Sequence, residues 1–246
     1  MRNHVVCQKA VQLLLLFLVI SKLAAAQGVE SRLSQKSDFV PSATSPREQL
    51  IEVAQHHGIP MGIEWINLAD ANNPSPLTSQ PTVRDLIRSI LRRTPGYKVE
   101  IRQGVVNVFP LALVNDPRNF LNIRIAEYQA NRENVFGAEA LLRFNIHRTL
   151  HPELYARGWN GGYGYGPGRD DGFDVKNISF SRKNVTVREI LNEIAEQNGN
   201  AVWIVDLVPS NMMKDEPFFA QGVSGIQMDF IWRIIPLEPT VKQGSN

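Results

Sequence analysis

The fold of this chain is decided by the stretch Thr186-Val-Arg-Glu-Ile-Leu-Asn-Glu-Ile-Ala-Glu-Gln-Asn-Gly-Asn-Ala-Val-Trp-Ile-Val205. Thr186 stands where a helix N-cap belongs, and Glu189 follows it in the capping-box arrangement. Apolar residues then recur at the helical period, and Gly199 suits a left-handed C-terminal cap. Residues 201–205 form a β-branched and aromatic run. The stretch therefore predicts a capped amphipathic helix, a turn and a buried strand.

An earlier stretch, Thr82-Val-Arg-Asp-Leu-Ile-Arg-Ser-Ile-Leu91, repeats this pattern. Thr82 and Asp85 again occupy capping-box positions, and the apolar residues again follow the helical period. A glycine, Gly96, follows this helix as well, and residues 97–101 have the composition of a strand. A pattern shared over this length predicts a duplicated unit.

The rest of the chain extends the pattern to two halves. Pro46 opens a first helix with Ser45 as its N-cap, and Gly58 ends it. Residues 59–68 are predicted as a strand, and residues 97–101 and 105–109 as a hairpin that turns at Gln103-Gly104. In the second half, strands are predicted at 120–128, 173–180, 201–205 and 227–237, with helices at 133–150 and from Thr186 onward.

These elements predict an α+β fold of two related lobes, each a small mixed or antiparallel sheet packed with two helices. The predicted boundaries are a signal peptide at 1–26, a flexible leader at 27–45, lobe 1 at 46–115, lobe 2 at 116–237 and a tail at 238–246.

The N-terminal segment has the composition of a secretory signal. Arg2 and Lys9 precede an apolar run at 13–20, and small residues at 24–26 offer a cleavage site. The run is too short to span a bilayer, although retention as an anchor stays open. Removing residues 1–26 removes three basic residues and no acid, which changes the net charge from +2 to −1. This balance removes a global electrostatic argument for nucleic acid. The single cysteine, Cys7, would leave with the signal, so neither a disulfide nor a thiolate site is expected.

Four segments of the first half carry a family resemblance: Gly58-Ile59, residues 83–91, Gly96-Tyr97-Lys98-Val99 and residues 105–108. Their order and apolar spacing resemble the short N-terminal (STN-like) domain of secretins and TonB-dependent receptors. The match covers roughly residues 46–110 and, more loosely, residues 119–236. The chain is also similar to small exported bacterial proteins with a paired version of this fold. The resemblance implies a periplasmic interaction module, and it supplies no catalytic residues.

The most unusual stretch is the glycine–aromatic segment 158–168, followed by Arg-Asp-Asp. Its aromatic side chains could stack on a sugar or on a peptide ring, and its charged residues could form hydrogen bonds with polar groups. The candidate contacts are Trp159, Tyr163, Tyr165, Arg169, Asp170 and Asp171. The alternative is a mobile surface loop, since long glycine-rich loops are either functional or disordered.

Arginines form a second candidate surface. Arg84, Arg88 and Arg92 recur at one-turn spacing on the polar side of the predicted helix and produce a local positive field. The alternative is an ordinary solvated helix face. His147 and His151 have the spacing of a metal-binding pair near Glu153, but three convergent ligands are not evident, so no metal is predicted.

The sequence thus predicts a non-enzymatic, exported binding or scaffolding protein of the bacterial envelope, periplasmic or secreted. An envelope protein or a cell-wall glycan is the expected partner, and nucleic acid, cofactors and catalytic residues are not expected. The alternatives are a carbohydrate- or peptidoglycan-acting hydrolase that uses Asp170 or Asp171, and a structural subunit whose free sheet edge pairs with another chain. The oligomeric state stays open.

Overall fold

The computed structural model of the protein describes residues 28–66, 81–116, 119–157, 177–199, 201–209 and 228–236. Its architecture is α+β, as predicted. The helices are α1 (Pro46–His57), α2 (Val83–Leu91), α3 (Val135–Leu150), α4 (Pro152–Ala156) and α5 (Val187–Asn198). The strands are β1 (Met61–Ile66), β2 (Tyr97–Arg102), β3 (Val105–Pro110), β4 (Arg124–Glu133), β5 (Ile178–Thr186), β6 (Ala201–Pro209) and β7 (Met228–Pro236).

The centre of the fold is a five-stranded sheet in the order β2-β3-β1-β6-β7. β1 pairs in parallel with both β3 and β6, whereas β2 and β7 pair antiparallel at the two ends. β4 and β5 form a separate two-stranded antiparallel sheet. Strands from both predicted lobes therefore share one sheet, and a division into two lobes is not confirmed.

Each face of the sheet has its own apolar core, because strand side chains alternate between faces. On one face, Met61, Val106 and Ile204 pack with the buried sides of α1 and α2. On the other face, Val105 and Trp203 pack with α3, α5 and the β4–β5 sheet. β3 is covered on both faces, so it is buried along its whole length. This burial explains why its sequence is an almost continuous apolar run.

A close approach on the second face fixes the side chain of Trp203. Gly62 of β1 is the register partner of Trp203 in β6. A Cβ atom at Gly62 would lie 2.2 Å from Trp203 Cζ2, so only glycine leaves space for the indole. The indole Nε1 donates a hydrogen bond to Asn192 Oδ1 of α5 at 2.9 Å.

The predicted helix caps are largely confirmed. Thr82 and Thr186 each form a complete capping box with the acid three residues on. Gly199, at φ 80°, forms the left-handed cap predicted after α5. The corresponding prediction for α2 is wrong: this helix ends at Arg92 in right-handed geometry. Gly96, at φ 96°, instead lies in the turn that leads into β2.

Several predicted boundaries in the second half differ from the structure; among them, the strands predicted to end at 128 and 205 continue to Glu133 and Pro209. Residues 120–122, predicted as strand, form a 3-10 turn because the Asn119 side chain accepts a hydrogen bond from Leu121 N. The following strand therefore starts at Arg124. The next helix starts at Val135 because Asn134 caps it through Gly137 N. Strand β5 starts at Ile178 and continues to Thr186, whereas residues 173–176 of the predicted strand lie outside the described residues.

Part of the predicted leader has a packed position. Residues 28–33 are helical, and Val29 and Leu33 are buried in the core beneath α1 and α2. Lys36 then forms an antiparallel bridge with Thr82, which holds this segment beside the start of α2. The predicted signal peptide and the tail at 238–246 lie outside the described residues. The rest of the described leader, residues 34–45, is irregular apart from this bridge.

Candidate functional site

The predicted arginine stripe lies on the outer side of α2, because the apolar residues of this helix face the sheet. The buried apolar side chains of α2 are Val83, Leu86, Ile87, Ile90 and Leu91. Arg88 and Arg92 are exposed, and the Arg84 side chain is 36% exposed. The three arginines therefore follow one line along the accessible side of the helix.

Strand β2 lies at the edge of the sheet, beside α2. It pairs with β3 alone among the described strands. The two strands turn at Gln103 and Gly104, whose φ angles are 51° and 70°. Two successive positive φ values identify the type I′ turn that suits a twisted two-residue hairpin. The predicted hairpin is thus confirmed, and β2 is its outer strand.

A groove separates α2 from β2. It consists of two adjoining cavities of about 300 and about 660 Å³, and Arg88 and Val99 line both. The smaller cavity lies between Arg84 and Ile101, and the larger between Arg92 and Tyr97. Because the helix numbering rises along the groove while the strand numbering falls, α2 runs antiparallel to β2. We call this region the α2–β2 groove.

The charges along the groove differ in how they are paired. Arg84 forms an ion pair with Glu30 of the N-terminal helical segment. Arg93, next to the stripe, donates a hydrogen bond to Gln49 of α1. Arg88 and Arg92 form no ion pair within 4 Å with any residue in the described ranges. The middle and one end of the groove therefore carry positive charge that is not neutralised by a contacting acid.

Two acids that line the groove, Asp85 and Glu100, have lowered pKa values. Hydrogen bonds from the Thr82 side chain and backbone lower the pKa of Asp85, and the nearby Arg88 and Arg84 act in the same direction. Hydrogen bonds from Lys98 and Arg102 lower the pKa of Glu100. Lys98 Nζ lies 2.5 Å from Glu100 Oε1, so this pair offsets part of the charge of β2 itself.

A buried polar network joins the two halves of the chain. Arg188 Nε of α5 donates to Glu64 Oε1 of β1 at 2.6 Å, and Arg188 Nη1 donates to Asn122 Oδ1 at 2.6 Å. Asn119 Nδ2 donates to the other carboxylate oxygen of Glu64 at 3.3 Å. The Glu64 side chain is fully buried and the Arg188 side chain is 7% exposed. Both charged groups of this network have hydrogen-bond partners, so the network stabilises the contact between α5 and β1.

Sequence reasoning missed this network. Arg188 occupies the position of Arg84 in the repeated pattern, yet Arg84 is at the surface and Arg188 is buried. The one available signal was Glu64, an acid inside an otherwise apolar strand, since a buried charge needs an opposite charge.

Two histidine clusters lie away from the groove. His57 Nε2 is 3.0 Å from Ser37 Oγ, and Phe39 stacks on His56 with ring centroids 4.2 Å apart. His147 Nδ1 lies 3.0 Å from the Tyr155 hydroxyl, beside the ring of His151. Burial lowers the pKa of His57 and of His147, and the neighbouring His56 and His151 lower them further.

Neither histidine cluster contains three convergent metal ligands among the described residues. Within the described residues, no group of three or more His, Cys, Asp or Glu side chains converges as metal ligands would. Glu153 lies beside His151, with Oε1 3.7 Å from Nδ1, which is a distance for an ion pair. Among the residues that the structure describes, no helix is both long and apolar enough to cross a membrane.

The other predicted surface lies outside the described residues. This applies to Trp159, Tyr163, Tyr165, Arg169, Asp170 and Asp171. Of the predicted site residues, the structure therefore places Arg84, Arg88 and Arg92, and it brings them together beside an edge strand.

Comparison of the chain with known proteins finds no matching family model, no matching curated protein and no matching solved structure. The resemblance to STN-like domains therefore stays an expectation from sequence.

Proposed function

We propose that this protein is a non-enzymatic binding protein of the bacterial envelope, and that the α2–β2 groove is its contact surface. The observation that carries the proposal is the pair of exposed arginines, Arg88 and Arg92, beside a strand edge and a groove. Positive charge at such a place attracts an acidic partner and raises its association rate. Export is supported by the charged start and the apolar run of residues 1–26.

A binding role also agrees with the chemistry of the described residues. The buried ion pair of Glu64 and Arg188 is closed by hydrogen bonds and has no access to a substrate. The hydrolase alternative depends on Asp170 and Asp171, and no observation on the described residues favours it.

The test compares three forms of the tagged protein, crosslinked in cells of the source organism and purified from the envelope fraction. The first is wild type and the second is Arg88→Glu/Arg92→Glu. The third is Arg148→Glu/Arg157→Glu, a matched control with the same charge change at two exposed arginines, one in α3 and one directly after α4.

We expect to capture an envelope protein with the wild type and with the control, and not with the groove variant. After purification, this protein should bind the wild type and the control saturably. Equal capture by all three forms would move the contact away from the groove. Absence of the protein from the envelope fraction, or hydrolysis of cell-wall glycan that Asp170→Asn abolishes, would contradict the proposal itself.

A further inference from the structure

Two residues of β2, Val99 and Ile101, have outward backbone groups with which no described strand pairs. In a hairpin with a two-residue turn, the residues flanking the turn exchange both hydrogen bonds, and every second residue pair then does the same. Arg102 flanks the turn and Leu111 N donates to Gly96 O at 2.8 Å, so the even-numbered residues of β2 bond to β3. The N–H and C=O groups of Val99 and Ile101 therefore point away from β3, and no described strand pairs with them.

The groove beside this edge has the shape for one more strand. Val99 and Ile101 are partly exposed at its base, with Ile87 and Leu91 behind them. The two adjoining cavities extend along β2 from Ile101 to Tyr97, so the space follows the strand direction. An extended segment laid here would contact α2 with every second side chain.

The arginine spacing matches an extended chain. Arg88 and Arg92 are four residues apart on a helix, which is a rise of about 6 Å. Alternate side chains of a strand are about 6.7 Å apart and lie on the same face. Because α2 and β2 lie along the same line, a strand added beside β2 would also run along α2. Two acids at alternate positions of that strand would then each contact one arginine.

We propose that the edge of β2 at Val99 and Ile101, with which no described strand pairs, binds an acidic protein segment as an added β-strand, with Asp or Glu at alternate positions facing Arg88 and Arg92. This inference rests on the proposed function and names the class of partner for the same site. Backbone pairing with β2 supplies affinity, and the arginines select for acids on one face of the segment. A second copy of this chain and an anionic glycan are the other occupants that the experiment must separate.

The probe is a labelled ten-residue peptide that alternates Glu and Thr, because Thr favours extended structure and keeps the peptide soluble. A block peptide of five Glu followed by five Thr has the same composition and charge. Binding is measured by fluorescence anisotropy with the protein purified from the envelope fraction. We expect the alternating peptide to bind at least about tenfold more tightly than the block peptide, and the Arg88→Glu/Arg92→Glu variant to lose this difference. The Arg148→Glu/Arg157→Glu control should keep it.

Backbone pairing is tested by two N-methylated versions of the alternating peptide. One is methylated at the Glu amides and the other at the Thr amides. An added strand directs one of these sets toward β2 and the other toward solvent, so one version should lose binding and the other should keep it. On the protein side, Val99→Pro removes an N–H that points away from β3, and we expect it to abolish peptide binding with an unchanged circular dichroism spectrum.

The outcomes separate the inference from the proposed function. If both methylated peptides bind like the parent, strand addition is excluded, whereas an acidic contact at the groove survives. If no peptide binds although the envelope partner still depends on Arg88 and Arg92, an extended acidic segment is excluded as the occupant. A wild-type protein that dimerises as its concentration rises, in a way that Val99→Pro abolishes, would assign the edge to a second copy. If Val99→Pro does not fold, the methylated peptides decide alone.

Discussion

Arg188 contacts Glu64 with two hydrogen bonds, Nε to Oε1 at 2.6 Å and Nη2 to Oε2 at 3.0 Å, and thereby joins α5 to the central strand β1. Both side chains are withdrawn from water. In such a place, the loss of one partner leaves the other charge uncompensated, which costs more than the pair itself contributes.

Glu64→Leu should therefore lower the free energy of unfolding by about 3–5 kcal/mol. The double variant Glu64→Leu/Arg188→Leu should lose clearly less than the sum of the two single variants, because neither charge is then buried alone. Urea unfolding measures both. Glu153→Leu, at a half-exposed acid, is the control and should change stability by no more than about 0.5 kcal/mol. Equal stability of Glu64→Leu and the control would contradict the role of the pair.

The contact between Gly62 and Trp203 makes a second prediction. A methyl group at Gly62 would overlap the indole ring, so Gly62→Ala should cost about 1–3 kcal/mol and alter the near-ultraviolet circular dichroism of tryptophan. Gly28 is the matched control, since nothing lies within 4 Å of a Cβ atom at that position. A Gly62→Ala variant as stable as Gly28→Ala would show that the sheet relaxes around the extra atom.

The N-cap of α5 leads to a third prediction, about the stability of this helix. The Thr186 side chain accepts a hydrogen bond from Glu189 N at 3.2 Å, and Thr186→Ala removes this acceptor from the helix start. We expect a loss of about 1 kcal/mol in thermal or urea unfolding. Thr149→Ala makes the same chemical change inside α3, where the hydroxyl only donates to Asn145 O, and alanine is the better helix former there. Comparable losses in the two variants would argue against a specific capping contribution.

The pH dependence of stability follows from His57 and His147. Burial holds the pKa of each below the ordinary histidine value of 6.5, so the unfolded chain takes up protons first as the pH falls. Their contribution to stability is complete above that value and is lost as the pH falls through their lowered pKa values. The double variant His57→Gln/His147→Gln should therefore show a smaller drop in the urea midpoint between about pH 7.5 and about pH 5.5. Arg148→Gln should keep the wild-type drop, and the same drop in all three proteins would assign the pH dependence to other groups.

Local features of this fold could be predicted from sequence because each has a short-range cause. The capping boxes at Thr82 and Thr186 and the turn at Gln103-Gly104 are set by neighbouring residues, and all three are confirmed. The exposed positions of Arg88 and Arg92 follow from the period of α2. These are the parts of the candidate site that lie within one helix or one hairpin.

The long-range features could not be predicted in this way. The pairing of β1 with β6 joins segments far apart in the chain, and neither strand carries a signal for its neighbour. For the same reason, sequence could not show that β2 is an edge strand or that it lies beside α2. Arg84 and Arg188 have the same local pattern and opposite environments, since their burial depends on what the sheet brings next to them.

The parallel pairing of Met61 with Val202 also determines when the protein can finish folding. A nascent or translocating chain that ends before Ala201 has no strand for that side of β1. Until β6 arrives, the first half therefore presents an open strand edge. An open edge makes intermediates prone to aggregate, so a chaperone that holds the chain until it is complete would improve its yield.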